Sequence, residues 1–165
     1  MKPIVVILMG SKSDMSHAQA IADALAELGV AADLRIGSAH KTPAHVMDIL
    51  NRYEADPRPK VYITIAGRSN ALSGFVDAQV SAPVIACPPS SSSFGGADIY
   101  SSLRMPGGVA PAVVLEPTGA ALLAAKILAL GDEEILKRVQ ALQSANRSTI
   151  TQDDADLRSV SDGDK

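Results

Sequence analysis

The hydrophobic positions of this chain fall into short continuous runs, separated by polar loops and by segments of three- and four-residue periodicity. Ile4 to Met9 is an unbroken apolar run, as expected of a parallel strand covered on both faces. Met15, Ala18, Ile21, Ala22, Leu25 and Leu28 then recur at helical spacing, and Gly29 is placed to end that helix. The alternation repeats with strand Ala31–Ile36 and helix Pro43–Tyr53, then strand Val61–Ala66 and a short helix within Ala71–Val80. Strand Val84–Cys87, one or two helical turns in Ala97–Leu103 and a very short strand Val113–Leu115 follow. Thr118 or Gly119 to Leu130 reads as an Ala-rich helix with little polar face, to be buried in a core or against another subunit. Asp132 caps a last helix to Ala145, with Ile135, Leu136, Val139 and Leu142 on one face. From Asn146 the chain turns polar, so residues 146–165 read as a tail, ordered only against a neighbouring subunit.

Five strands alternating with helices predict an α/β fold: a three-layer α/β/α sandwich around a mostly parallel five-stranded sheet, with right-handed crossovers. Residues 1–145 form one domain in this reading, undivided by any repeat or linker.

Composition narrows the class. A chain of 165 residues can bury roughly 70% of its unfolded surface. With 47% hydrophobic residues, no Trp and few other aromatics, its core should be tightly packed and aliphatic. A net charge of −3 without a Lys/Arg stripe argues against a nucleic-acid partner. The single cysteine, Cys87, excludes an intramolecular disulfide and fits a reducing compartment. No run of about 18 apolar residues could span a membrane, and the first residues lack a signal-peptide pattern; a cytoplasmic location is expected.

The chemistry collects in the loops that follow the strands, where ligands bind in open α/β sheets. Gly10-Ser11-Lys12-Ser13-Asp14 follows the first strand, and Gly37-Ser38-Ala39-His40-Lys41-Thr42-Pro43 the second. Gly67-Arg68-Ser69-Asn70 follows the third, and Ser101, Ser102 and Arg104 come after the fourth. Ser11, Ser13 and Asp14 read either as helix caps or as an anion site at a helix N-terminus. Neither a Walker A loop nor Gly-x-Gly-x-x-Gly is present. There is no Gly-x-Ser-x-Gly elbow; His17, His40 and His45 lack zinc spacing, and Cys87 has no Cys-x-x-Cys partner, so no metal site is expected. Cations and hydroxyls beside a helix start suggest a phosphorylated small molecule. A single histidine among them suggests proton transfer, since histidine titrates nearest neutral pH. Pro88-Pro89, the serines of 90–93 and Phe94-Gly95-Gly96 read as a disordered surface loop or as a lid.

In order and spacing, Gly10–Asp14, Ser38–Pro43 and Ala66–Asn70 resemble the motifs of the PurE family of purine biosynthesis, over about Ile4 to Leu130. That resemblance implies a flavodoxin-like fold and a reaction on an aminoimidazole ribonucleotide without metal or organic cofactor. Class I members move a carboxylate within N5-carboxyaminoimidazole ribonucleotide and typically carry Ser-Ala-His-Arg-Thr-Pro with a second histidine-bearing loop. Class II members carboxylate aminoimidazole ribonucleotide (AIR) directly with carbon dioxide. Lys41, Arg68-Ser69-Asn70, Cys87-Pro88-Pro89 and Ser101-Ser102-Leu103-Arg104 are similar to the class II pattern, as in the carboxylase part of the bifunctional animal enzyme.

The resemblance further implies that His40 is the base, that Ser11, Ser13 and Lys41 hold the 5′-phosphate, and that Asp14 accepts from a ribose hydroxyl. Gly67 would approach carbon dioxide or the new carboxylate, which Arg68 or Arg104 would neutralise. Gly10, Ser38, Ser69, Asn70 and Ser102 complete the expected substrate site. A homo-oligomer, tetramer or octamer, is implied as well. The rival readings are a mutase on the same fold and a non-catalytic nucleotide-binding module that would not need His40.

Overall fold

The computed structural model describes residues 1–90 and 92–163. Ser91, inside the predicted serine run, and Asp164 and Lys165 of the predicted tail lie outside the described residues. Strands β1 (Ile4–Met9), β2 (Ala31–Ile36), β3 (Lys60–Ile65), β4 (Val84–Ala86) and β5 (Ala112–Val113) form one sheet in the order β2-β1-β3-β4-β5. Every pairing is parallel. Between them run α1 (Met15–Glu27), α2 (Pro43–Glu54), α3 (Leu72–Asp77), α4 (Tyr100–Leu103), α5 (Pro117–Leu128) and α6 (Glu133–Gly163). This is the predicted α/β sandwich with a flavodoxin-like strand order.

The apolar run of β1 is buried at every position because it is central and covered twice. Val5, Ile7 and Met9 face a core built with α1, α5 and the start of α6, while Ile4, Val6 and Leu8 face a second core with α2 and α3. The edge strand β2 shows the contrast, with Ala31, Asp33 and Ile36 exposed. Under the first layer, Ala120, Ala121, Ala124 and Ala125 of α5 are fully buried. Small side chains at these positions let α5 lie close to the sheet and α1. Ala124→Leu should therefore destabilise the fold by about 1–3 kcal/mol through overpacking. An unchanged urea midpoint would show that the layer has room to spare.

Most predicted boundaries stand within a few residues, and two of the glycines explain local shape. Gly74, inside α3, lies where a Cβ would come 2.9 Å from Met105 Sδ, so the loop of residues 104–108 can close over this helix. A Cβ at Gly37 would fall 2.8 Å from Val46 Cγ2, which lets the end of β2 turn tightly onto α2. The segment before α4 has a left-handed kink at Phe94, Gly95 and Gly96, followed by a 3-10 turn to Ile99. Of the two readings of this loop, the described part is a set of tight turns.

The last helix is the main correction. It does not stop at Ala145 but continues to Gly163, through most of the segment expected to be a tail. No proline or glycine interrupts residues 146–162, so nothing in the sequence ends the helix there. Local bonds support it, among them Thr149 Oγ1 to Ala145 O (3.1 Å) and Gln152 Nε2 to Asp156 Oδ1 (2.7 Å). Ile135 and Val139 anchor its first turns in the core, whereas residues 146–159 are all exposed. The polar composition reflects a helix standing off the body. Among the described residues, no helix is long and apolar enough to cross a membrane.

Candidate functional site

In the strand order β2-β1-β3, the chain leaves β1 to one side and later returns on the other. The carboxyl ends of β1 and β3 therefore bound a crevice, the place where doubly wound sheets bind ligands. A cleft of about 610 Å³ opens there. The loops after β1, β2 and β3 all reach it: Gly10, Ser11, Ser13 and Asp14 from the first, Ser38, His40 and Lys41 from the second, Gly67, Arg68 and Ser69 from the third.

In the first loop, the Asp14 carboxylate accepts from Ser11 N–H (3.3 Å) and from Ser11 Oγ (3.4 Å). The capping role weighed for these residues therefore holds for Asp14. The hydroxyls of Ser11 and Ser13 lie 2.5 Å apart at the cleft. Both are exposed at the turn that opens into α1, where unsatisfied N–H groups and the helix dipole favour an anion.

The second loop is held by its own side chains. Ser38 N–H donates to Thr42 Oγ1 (3.0 Å), Thr42 N–H donates to Ser38 O (2.8 Å), and Lys41 N–H donates to Ser38 Oγ (3.2 Å). Thr42, read from the sequence only as a helix entry, thus braces the turn that presents His40. The imidazole is exposed at the cleft and makes no hydrogen bond among the described residues.

In the third loop, Arg68 is exposed with φ of 60°, a left-handed conformation that non-glycine residues rarely adopt. Asn70, by contrast, is only 4% exposed and its polar atoms are engaged. Its Nδ2 donates to Ser102 Oγ (2.9 Å), its Oδ1 accepts from Ser73 N–H (3.1 Å), and its N–H donates to Ser101 Oγ (2.9 Å). Asn70 and buried Ser102 thus tie the third loop to α4 and are not among the residues lining the cleft. Nor is Arg104, which is exposed. The cleft walls that were not among the expected site residues are Ala39, Ala66, Leu72 and Pro89. A Cβ on Gly67 would meet Pro89 at 3.2 Å, so the bare backbone of Gly67 lets this wall close.

Cys87 is fully buried, with Sγ 3.3 Å from His17 Nε2. Burial, and secondarily the charge of Glu116, pushes its thiol up to about 12, which keeps it protonated and a poor nucleophile. Among the described residues, no group of three or more His, Cys, Asp or Glu side chains is placed to hold a metal ion.

The fold and cleft are those of the doubly wound α/β class, with a serine-rich helix start and an exposed imidazole at one crevice. Residues 4–149 match the model of the AIR carboxylase family. The chain is 60% identical over 96% of its length to a phosphoribosylaminoimidazole carboxylase of Treponema denticola, covering 99% of that protein. It is 55% identical to one of Archaeoglobus fulgidus, over 93% of this chain and 84% of that one. The crystal structure of Treponema denticola PurE superposes with a TM-score of 0.93, covering 94% of this chain and 99% of that one at 60% identity. The chain belongs to the AIR carboxylase, or PurE, family of purine-biosynthetic enzymes.

Proposed function

We propose that this enzyme carboxylates AIR at C4 with carbon dioxide, giving 4-carboxy-5-aminoimidazole ribonucleotide without ATP, biotin or metal. The observation that carries this reading is the meeting, around one cleft, of the serine-rich helix start with His40, Lys41 and Arg68. The carboxylase names of the two most similar relatives quoted above favour it over the mutase reading.

The 5′-phosphate lies at the start of α1, held by Ser11, Ser13 and Lys41, with Asp14 accepting from a ribose hydroxyl. Lys41 contributes a point charge without the bidentate fork of arginine, so the backbone and hydroxyls set the phosphate orientation. C4 of the electron-rich ring attacks carbon dioxide; the new C–C bond forms as one C–O π pair moves onto oxygen. The C4–H proton then passes to the imidazole of His40, and the C–H pair returns to the ring and restores aromaticity. His40 releases the proton to solvent. Arg68 neutralises the new carboxylate beside Gly67. Asn70 and Ser102 contribute by holding the third loop in place.

Ser11→Ala combined with Ser13→Ala should weaken nucleotide binding by about 10–100-fold, since each hydrogen bond to a charged phosphate contributes about 1.5–3 kcal/mol and solvent recovers part of the loss. Calorimetric titration with AIR checks this, and unchanged affinity would leave these residues as caps only. The reaction itself is tested by following product from AIR as dissolved carbon dioxide is varied, with N5-carboxyaminoimidazole ribonucleotide in parallel. Saturable carboxylation of AIR supports the proposal. Turnover of the N5-carboxy compound alone assigns a mutase, and turnover of neither leaves a binding module.

A further inference from the structure

The third loop carries Arg68 to the cleft with little packed against its start. Besides the cleft, Gly67 borders a second cavity of about 270 Å³, together with Pro88, Pro89, Asp98 and Ile99. Among the described residues, a Cβ on Gly67 would meet only Pro89 within 4 Å. Open space thus lies on two sides of the residue before Arg68, yet Arg68 keeps its left-handed φ of 60°. Such strain persists only where the surrounding structure holds it.

The hold lies two residues further on. The side chain of Asn70 is bonded to Ser102 Oγ and Ser73 N–H, which fixes its amide. Its main chain is gripped separately, by Ser101 at the start of α4. Asn70 N–H donates to Ser101 Oγ (2.9 Å), and the Ser101 hydroxyl donates to Asp98 O (2.7 Å). A hydroxyl has one proton to give. With that proton committed to Asp98 O, Ser101 Oγ meets the third loop as an acceptor alone, at a place set by its own turn. We infer that Ser101 is a positioning residue for Arg68: through Asn70 N–H it fixes the backbone that aims the guanidinium before the carboxylate forms. A donor aimed in advance spends nothing on reorganising during the reaction. Ser101 itself is not among the residues lining the cleft, so it acts through the loop and not on the substrate. The inference rests on the role given to Arg68 in the proposed reaction.

The test compares Ser101→Ala, Ser101→Thr, Arg68→Ala and the double variant of Ser101→Ala with Arg68→Ala, each in the full chain. Ser101→Ala should lower kcat about 3–10-fold, the range that one neutral hydrogen bond represents, with the Kd for AIR within about twofold of the parent's. Affinity is spared because Arg68 meets a charge that forms only during the reaction. Ser101→Thr should restore turnover, since a threonine hydroxyl makes the same bond to the carbonyl three residues back. In the Arg68→Ala background, Ser101→Ala should slow turnover no further, because nothing is left to aim. A purely structural serine would instead cost the same factor in both backgrounds, which overturns the inference. Parent-level turnover of Ser101→Ala overturns it too, as does a Ser101→Thr variant as slow as Ser101→Ala. These outcomes beside a slow Arg68→Ala leave the role of Arg68 standing. Parent-level turnover of Arg68→Ala removes that role, and the inference falls with it.

Discussion

His40→Asn should bind AIR and unfold at the parent's urea concentration, yet carboxylate it about 10²–10⁴-fold more slowly. The separation of effects follows from how the loop is built. Ser38 and Thr42 close the turn through their own backbone and hydroxyl groups, and Lys41 N–H is bonded to Ser38 Oγ. The imidazole takes no part in those bonds and is exposed, so its removal leaves no cavity and no orphaned buried group. In the proposed reaction, what disappears is the proton acceptor for the C4–H bond, which asparagine cannot replace. Steady-state kinetics with saturating carbon dioxide measures the loss, and calorimetric titration with AIR separates it from binding. Near-parental turnover would remove His40 from the reaction and favour a cleft that works by positioning alone.

The parts of this site that were readable in the sequence are those encoded locally. Strand β1 was delimited by an uninterrupted apolar run, and the glycine, hydroxyl and charged residues after β1 and β2 were assigned to one sheet edge by the βαβ pattern alone. Gly10, Ser11, Ser13, Asp14, Ser38, His40, Lys41, Gly67, Arg68 and Ser69 do line one cleft. Asn70 and Ser102 do not, because their partners depend on tertiary contact: they are 32 positions apart and find each other only once α4 folds back over the third loop. Nothing in either residue's neighbourhood distinguishes a buried structural amide from a ligand-binding one. Thr42 was passed over for the complementary reason, since Thr-Pro is a common helix start and its hydroxyl acts backward onto Ser38. The length of α6 was missed because polar composition was read as absence of structure. Polarity around a helix shows only that the parent chain does not bury it.

Arg68→Gly should raise stability while lowering activity. A non-glycine residue at φ of 60° costs roughly 1–2 kcal/mol relative to a relaxed conformation. Glycine removes that strain but gives back about 0.5–1 kcal/mol through the greater freedom of its unfolded chain. A net gain near ~0.5–1 kcal/mol in urea unfolding is expected. Over the same substitution kcat/KM should fall about 10–100-fold, the loss of the one charge-assisted contact that the proposed reaction gives Arg68 with the developing carboxylate, at about 1.5–3 kcal/mol. Arg104→Ala is the matched comparison, because that side chain is exposed and not among the residues lining the cleft, and it should leave kcat/KM near the parent's. The opposite ranking would transfer carboxylate neutralisation to Arg104 and leave the strain at Arg68 without a catalytic reason. The expected ranking would make that strain a feature retained for function, since backbone cost persists where surrounding structure holds a side chain to a task.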